Sequence, residues 1–355
     1  MKTEVIDIHT EYPELDQIIR CAKLIREGGL VIFPTETVYG LGTNGENDAA
    51  MRRLRSVKQR SEGKPFSYLI SQKSLISNYT NSTNPLIYKL INAFWPGPLT
   101  LVVPDKHNPE GTIGVRMPDH IVALKLIQET QCRVAAPSAN VEGDNPPRTC
   151  EEALAKLDGQ VDIALDAGSV RIGIGSSVVD VTTNKPQILR EGAISQKDIE
   201  AVARKKNILF VCTGNSCRSV MAEYLLKDFL RDRNDVDVSS AGTGVFIQST
   251  ASADTMQVLK EEGIDASQHI SSPISTILLK KADLIFVMTQ GHRQQVLERV
   301  PEVEKRVYLL REFANISVSS PMDFDVPDPI GRSYQEYKAC LISIKEAVLR
   351  LVELI

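Results

Sequence analysis

Residues 211–219 read VCTGNSCRS, with Cys212 and Arg218 separated by five residues. That spacing suits a loop that curls until its backbone N–H groups point inward as an anion cradle, closed by the positive end of a following helix. Gly214 and Asn215 are the residue types most tolerant of the left-handed backbone such a curl demands. The same field favours a thiolate at Cys212, a nucleophile at neutral pH. Arg218 offers a planar fork that matches two phosphate oxygens, which lysine lacks. The plainer alternative is a buried core cysteine and a surface arginine. An apolar run before the loop, a helical pattern after it, and Ser219 directly following Arg218 favour the reactive reading. A phosphocysteine intermediate also needs an acid for the leaving group and a base for water. The segment SPMDFDVPDPIG supplies Asp323, Asp325 and Asp328, unless it is simply an acidic surface loop, and Pro329 stiffens the chain after Asp328.

The first half has no Walker loop and no GxGxxG, but basic residues stand beside strand ends. VKQRSEGKP holds Lys58, Arg60 and Lys64, GVRMP holds Arg116, and LREG holds Arg190. PSAN adds Ser138 and Asn140, and GSSVVD adds Ser176. Singly these are a solvated helix face, a salt-bridge partner or a capping turn. Together the cations suit an anion such as a polyphosphate.

The elements that must position these residues alternate regularly. Residues 14–28 have helical spacing, LVIFPTETVYGLG reads as a strand running into a turn, and FSYLI, PLTLVV, GTIGVRM, RVAAPS and SSVVDVT read as strands. Helices are expected at AAMRRLRSVKQ, IVALKLIQET and CEEALAKLDG, giving a mixed α/β unit. A short polar helix in LREGAISQKDIEAVARKK leads to a second unit, with domains expected at 1–204 and 205–355. There NILFVC, VDVSSAG, ADLIFVMT and RVYLL alternate with helical SVMAEYLLKDFLRD, ADTMQVLKEEG, HRQQVLERV and a terminal YQEYKACLISIKEAVLRLVELI. Such alternation predicts a parallel sheet with helices on both faces.

Composition bounds the partners. With 42% hydrophobic and 24% charged residues the chain reads as soluble and globular, and a net charge of -4 gives no bulk field toward nucleic acid or membrane. No apolar stretch approaches the roughly 18 residues of a membrane span, and MKTEVIDIHTEYPEL lacks the apolar core of a signal peptide. Six cysteines in 355 residues make no disulfide scaffold and no zinc spacing, so the expectation is a reducing, cytoplasmic protein without a structural metal.

On CTGNSCRS, SAGT, ADLIFVMT and DPIG, residues 207–355 resemble the low-molecular-weight protein phosphatases. The resemblance implies their fold, a parallel four-stranded sheet flanked by helices, and a reaction without a cofactor on a phosphoprotein. It makes Cys212 the nucleophile, Arg218 the phosphate clamp and Asp328 the acid/base. Thr213, Gly214, Asn215 and Ser216 form the loop with Cys217, a partner for a reversible disulfide, and Ser219 stabilises the thiolate. Thiol-coupled arsenate reductases of this fold need further cysteines downstream; the sole later one, Cys340, falls on the terminal helix. Tyrosine phosphatases of the family carry a bulky aliphatic residue at Ser216 and an aromatic at Ile330. Protein-arginine phosphatases carry threonine at Ser216. The loop is therefore nearer the arginine-specific members, with phosphotyrosine second.

The ordered set PTETVYG, KxR, WPGPLT, GVRMP, PSAN, SSVVDV and LREG resembles the YrdC-type threonylcarbamoyl-adenylate synthases over residues 14–195. That resemblance implies the joining of L-threonine, bicarbonate and ATP, with Mg²⁺, to threonylcarbamoyl-AMP and pyrophosphate. The product serves tRNA modification through a transferase partner. It implies Thr35, Arg116, Ala136 and Ser176 around threonine, and Lys58, Arg60, Ser138, Asn140 and Arg190 around ATP. Glu142 replaces the family's second serine in SANVEG and puts a carboxylate where phosphates are expected, while Ser177 replaces threonine in SSV. The leading reading is a bifunctional enzyme. The alternative keeps only the phosphatase catalytic and makes the first half a module that binds RNA or nucleotide.

Overall fold

The computed structural model describes residues 2–314, 316 and 324–355. The chain divides into two compact units, Met1–Ala203 and Arg204–Ile355.

In the first unit the strands are β1 (Glu4–Asp7), β2 (Val31–Phe33), β3 (Gly40–Asn44), β4 (Ser67–Leu69), β5 (Leu99–Pro104), β6 (Thr112–Arg116), β7 (Val134–Ala135), β8 (Ile163–Asp166), β9 (Ser177–Asp180) and β10 (Gln187–Arg190). They form one mixed sheet in the order β1-β8-β2-β3-β7-β4-β6-β5-β9-β10. The helices are α1 (Leu15–Arg26), α2 (Asp48–Val57), α3 (Pro85–Phe94), α4 (Ile121–Thr130), α5 (Cys150–Leu157) and α6 (Gln196–Arg204). On α1, Ile18, Cys21, Ala22 and Ile25 recur every three or four residues and are buried, the stripe expected of a helix laid on a core. Asn47 caps α2 by accepting from the N–H groups of Ala49 and Ala50. The segment after β2 does more than turn: it returns as β3, antiparallel to β2 with Val31 opposite Gly42. PTETVYG is therefore a buried hairpin connection.

In the second unit β11 (Lys206–Cys212), β12 (Val236–Gly242), β13 (Leu284–Val287) and β14 (Val307–Leu309) pair in parallel in the order β12-β11-β13-β14. The helices are α7 (Arg218–Phe229), α8 (Ala253–Glu261), α9 (Thr276–Lys281), α10 (Gln290–Arg299), α11 (Leu310–Phe313) and α12 (Tyr334–Leu354). β11 is buried from Asn207 to Cys212, as a strand covered on both faces must be. The chain leaves β11 for β12 on one side, and its next strand, β13, lies on the other. The strand order thus reverses at β11, and an open parallel sheet has its ligand crevice at the carboxyl end of that strand. Cys212 is its last residue. No helix of the described residues is long and apolar enough to cross a membrane.

Candidate active sites

The loop from Cys212 to Arg218 lies between the end of β11 and the first turn of α7. Of the two residues expected to turn left-handed, Asn215 does so (φ 51°) and Gly214 does not. A buried network holds that strained residue. Asn215 Nδ2 donates to Ser219 Oγ at 3.0 Å and to Ser240 Oγ at 2.7 Å, and its Oδ1 accepts from the Ser272 N–H at 2.8 Å. Its carbonyl accepts from His269 Nε2 at 2.8 Å. Ser219 Oγ, already accepting from Asn215, has its proton free for Cys212 Sγ 3.0 Å away. That direction of donation stabilises a thiolate.

β12 must come close for this to work. A Cβ on Gly242 would stand 2.4 Å from the Thr213 carbonyl and 3.0 Å from the Asn215 nitrogen, so only glycine fits there. Cys212 and Arg218 are both buried. Arg218 Nη1 donates to the Val326 carbonyl at 3.1 Å, and Nη2 forms an ion pair with Asp328 Oδ2. Its Nε is buried with no hydrogen-bond partner, an orphan donor in a cradle that fits a ligand acceptor. Of the three aspartates, Asp323 lies outside the described residues. Asp325 accepts from the Gln290 N–H at the start of α10, and Asp328 alone of the other two reaches Arg218.

Ser216 is half-buried, and its hydroxyl has a single weak contact, 3.6 Å from Cys217 Sγ. Cys217 Sγ lies 3.4 Å from Ser252 Oγ and 3.7 Å from Tyr337 Oη. Two features escaped sequence reasoning. His292 bridges the loop to α10, with Nε2 2.9 Å from Thr213 Oγ1 and Nδ1 2.9 Å from Thr289 Oγ1. Burial, and after it the Arg218 charge, lowers the His292 pKa to about 4. Phe246 and Ile247 are 97% and 85% exposed in a segment tied to the loop by the Gly244 N–H to the Thr213 carbonyl, 2.9 Å. A helical or strand pattern does not reveal either feature, because both depend on loop placement.

In the first unit one cleft is lined by Lys58, Arg60, Arg116, Ala136, Ser138, Ser176 and Arg190, seven of the nine positions expected there. Thr35 and Asn140 do not line it. Thr35 Oγ1 is buried against Thr37 Oγ1 at 2.9 Å and the Val38 carbonyl at 2.6 Å. Asn140 instead holds Lys58, whose Nζ donates to the Ser138 carbonyl at 2.6 Å and the Asn140 carbonyl at 2.5 Å. Burial, followed by the nearby Arg60 charge, lowers the Lys58 pKa to about 8. Arg190 grips the Ser176 carbonyl through Nε at 3.1 Å and Nη2 at 2.8 Å. The neighbouring glycine makes this possible, because a Cβ on Gly192 would stand 2.2 Å from the Gly175 carbonyl. Burial first, then Arg116 and Arg60, push the Arg190 guanidinium down, the sign of three cations converging on one space. Arg116 is itself steered by Glu36, a fully buried carboxylate 2.7 Å from Nη2, which sequence reading passed over as one letter of PTETVYG.

Glu142, the departure in SANVEG, accepts from Lys64 Nζ at 2.8 Å and the Ser61 N–H at 3.1 Å, with Arg60 Nη1 3.8 Å away. The cleft lining contains no carboxylate, and no group of His, Cys, Asp and Glu suited to a metal stands among the described residues. Among the described residues, then, no cluster of carboxylates stands at this cleft to hold Mg²⁺.

Comparison with known proteins decides the families. A family model described as "Telomere recombination" (Sua5, YciO and YrdC) matches residues 23–192, and one described as "Low molecular weight phosphotyrosine protein phosphatase" matches residues 207–355. A putative threonylcarbamoyl-AMP synthase of Mycobacterium tuberculosis is 35% identical over 207 residues, 56% of this chain and 95% of that protein. A protein-arginine-phosphatase of Geobacillus stearothermophilus is 38% identical over 146 residues, 41% of this chain and 93% of that protein. The chain belongs to both families. Its Sua5–YrdC part comes first and its low-molecular-weight phosphatase part second, as a fusion. The chain spans 62% of the length of the threonylcarbamoyl-AMP synthase of Bacillus subtilis, to which it is 38% identical over 213 residues, 57% of this chain. Among solved structures, YciO of E. coli matches with a TM-score of 0.51 at 26% identity, covering 56% of this chain and 99% of YciO. Sua5 of P. abyssi, solved with L-threonine, shares the fold with a TM-score of 0.54 at 24% identity, covering 86% of this chain and 99% of Sua5.

Proposed function

We propose that the protein is a bifunctional enzyme: a threonylcarbamoyl-AMP synthase joined to a phosphatase that prefers phosphoarginine. For the second unit, the observation that carries the reading is the Arg218–Asp328 pair at the end of the loop that starts with Cys212, whose Sγ meets Ser219 Oγ. An incoming phosphate dianion competes with Asp328 for the Arg218 fork and meets the orphan Nε. The Cys212 thiolate then attacks phosphorus as the P–N or P–O bond to the leaving group breaks, and Asp328, released from Arg218 and carrying a proton taken up from water, protonates the leaving nitrogen or oxygen. The resulting phosphocysteine is hydrolysed by water that gives its proton to Asp328. Ser216 supports phosphoarginine, since its uncommitted hydroxyl suits a polar guanidinium better than a phenol. The protein-arginine-phosphatase relative supports the same choice. Phe246, wholly exposed, suits stacking on either group and does not discriminate. A substrate panel tests this: kcat/KM on phosphoarginine peptides should exceed that on phosphotyrosine peptides, and Ser216→Ile should move the ratio toward phosphotyrosine. Faster turnover of phosphotyrosine by the unaltered chain overturns the preference.

For the first unit, the convergence of Arg60, Arg116 and Arg190 on one cleft carries the reading. A threonine carbamate attacking the α-phosphate of ATP expels pyrophosphate, and fixed cations offset the charge that develops. Lys58 contributes differently, by fixing the carbonyls of Ser138 and Asn140 around the cleft. The likeness to threonylcarbamoyl-AMP synthases supports the partners: threonine, bicarbonate and ATP enter, and a transferase that acts on tRNA consumes the product. Pyrophosphate release from ATP that requires both threonine and bicarbonate is the test. Release independent of threonine, or none, favours a nucleotide- or RNA-binding module.

A further inference from the structure

A second cavity, of about 550 Å³, opens in the first unit. It shares only Leu69 of β4 with the cleft that holds Arg190. It falls in the size range of small-molecule sites, about 300–1,000 Å³. We propose that this cavity binds a nucleoside monophosphate, at a site separate from the synthase cleft.

The cations come first. Arg133 lies over two rings at once, its guanidinium carbon 5.0 Å from the Tyr68 centroid and 4.7 Å from that of Tyr79. The rings are tilted 53° to each other with centroids 5.8 Å apart, so the guanidinium caps a V of aromatic surface that holds it in place. Its Nε is buried without a hydrogen-bond partner, so protein acceptors do not saturate this permanent charge. Lys106 is anchored beside the same tyrosine, since its N–H donates to the Tyr79 carbonyl at 2.8 Å. Its Nζ makes one hydrogen bond, to the Ser77 carbonyl at 3.0 Å, and an ammonium has three donors. Two cations fixed around Tyr79 at the wall of one cavity suit a phosphate monoester.

The rest of the lining indicates what the phosphate is attached to. Four amides, Gln72, Asn78, Gln128 and Gln131, offer paired donors and acceptors, the chemistry that reads the edge of a base. Gln131 stands in the left-handed region (φ 53°) where α4 ends. Glu46 is the only carboxylate in the lining. A simple anion gains nothing from it, whereas a ribose diol donates to a carboxylate. Leu75 and Ile127 add apolar wall for a planar ring. Inorganic phosphate uses only the two cations, and adenosine uses everything else, so a nucleotide exploits the whole lining.

The proposal stands whatever the cleft binds, and the test separates the two sites. The full-length Arg190→Ala chain is titrated with AMP and GMP by calorimetry, alongside adenosine and inorganic phosphate. Saturable binding of one nucleotide monophosphate per chain is expected, with adenosine and phosphate each about tenfold weaker or more. Lys106→Glu on that background should weaken nucleotide binding by about tenfold or more, the scale of a lost charge-assisted hydrogen bond. Lys106→Ala should do so without reversing charge. In the otherwise unaltered chain, Lys106→Glu should leave threonine-dependent pyrophosphate release unchanged, which establishes that the unit is folded. No saturable binding by the Arg190→Ala chain, or an affinity indifferent to both Lys106 variants, overturns the proposal.

Discussion

At the scale of single residues, the phosphatase loop is built on two pairs, Cys212 Sγ with Ser219 Oγ and Arg218 with Asp328. Cys212, Arg218 and Asp328 declare themselves by type and order, and the structure supplies these pairings. The resemblance places Lys58 around ATP, yet its ammonium is occupied by carbonyls. No sequence pattern distinguishes a lysine that faces a cleft from one that braces its wall. Glu142 shows the reverse: the letter looked like an intruder, and the fold gives it specific partners. Its carboxylate, held below the ordinary range chiefly by Lys64 and then by the Ser61 N–H, also stands 3.8 Å from Arg60, which lines the cleft where ATP is proposed to bind. Glu142→Gln should therefore lower KM for ATP by about two- to fivefold, the size of one exposed ion pair, with kcat unchanged. Initial rates of pyrophosphate release across an ATP series measure it. A raised KM would mean that Glu142 organises the 58–64 segment rather than competing for it.

Elements were legible where periodicity was strong and hidden where tertiary context made them. The strand VDVSSAG coincides with β12, and the terminal helix was placed to within a residue. β1 and β10 lack an apolar run because they are the mostly exposed edge strands of the sheet, and β8, though buried, is also not evident from the sequence. β3 was missed because GLGTN has low strand propensity, and it is a strand only through its place between β2 and β7. α3 begins with proline and is apolar almost throughout, so no stripe marks it. One element carries a pH prediction. α10 delivers His292 into the phosphatase loop, and burial lowers its pKa from an ordinary 6.5 to about 4. Between those values the unfolded chain binds the proton and the folded chain does not, so stability falls as the pH drops from about 6.5 to about 4 and levels off below. The loss approaches about 3 kcal/mol at the limit. Denaturant unfolding at pH 7 and pH 4.5 should give a larger drop for the unaltered chain than for His292→Gln. Equal drops would show that His292 does not supply the acid sensitivity.

At the scale of the whole molecule, the two proposed activities should be separable by point substitution. Each buried cluster of the described residues belongs wholly to one unit: three lie before residue 204 and two after it. Each unit therefore has the core that an independently folding domain requires. The synthase cleft and the phosphatase loop also draw their residues from one unit each, so neither site needs a side chain from the other. Nor does the proposed chemistry link them, since pyrophosphate and an acyl adenylate are not phosphoproteins. Two full-length variants test this. Arg190→Ala should reduce threonine-dependent pyrophosphate release by a hundredfold or so, the scale of a lost transition-state donor, and leave phosphatase kcat/KM within about twofold. Cys212→Ser should abolish phosphatase turnover, because a serine hydroxyl is not ionised at neutral pH, and leave pyrophosphate release intact. If Cys212→Ser lowers the synthase rate, or if threonine and ATP change the phosphatase rate of the unaltered chain, the units communicate. The fusion would then be a regulatory device rather than two enzymes on one chain.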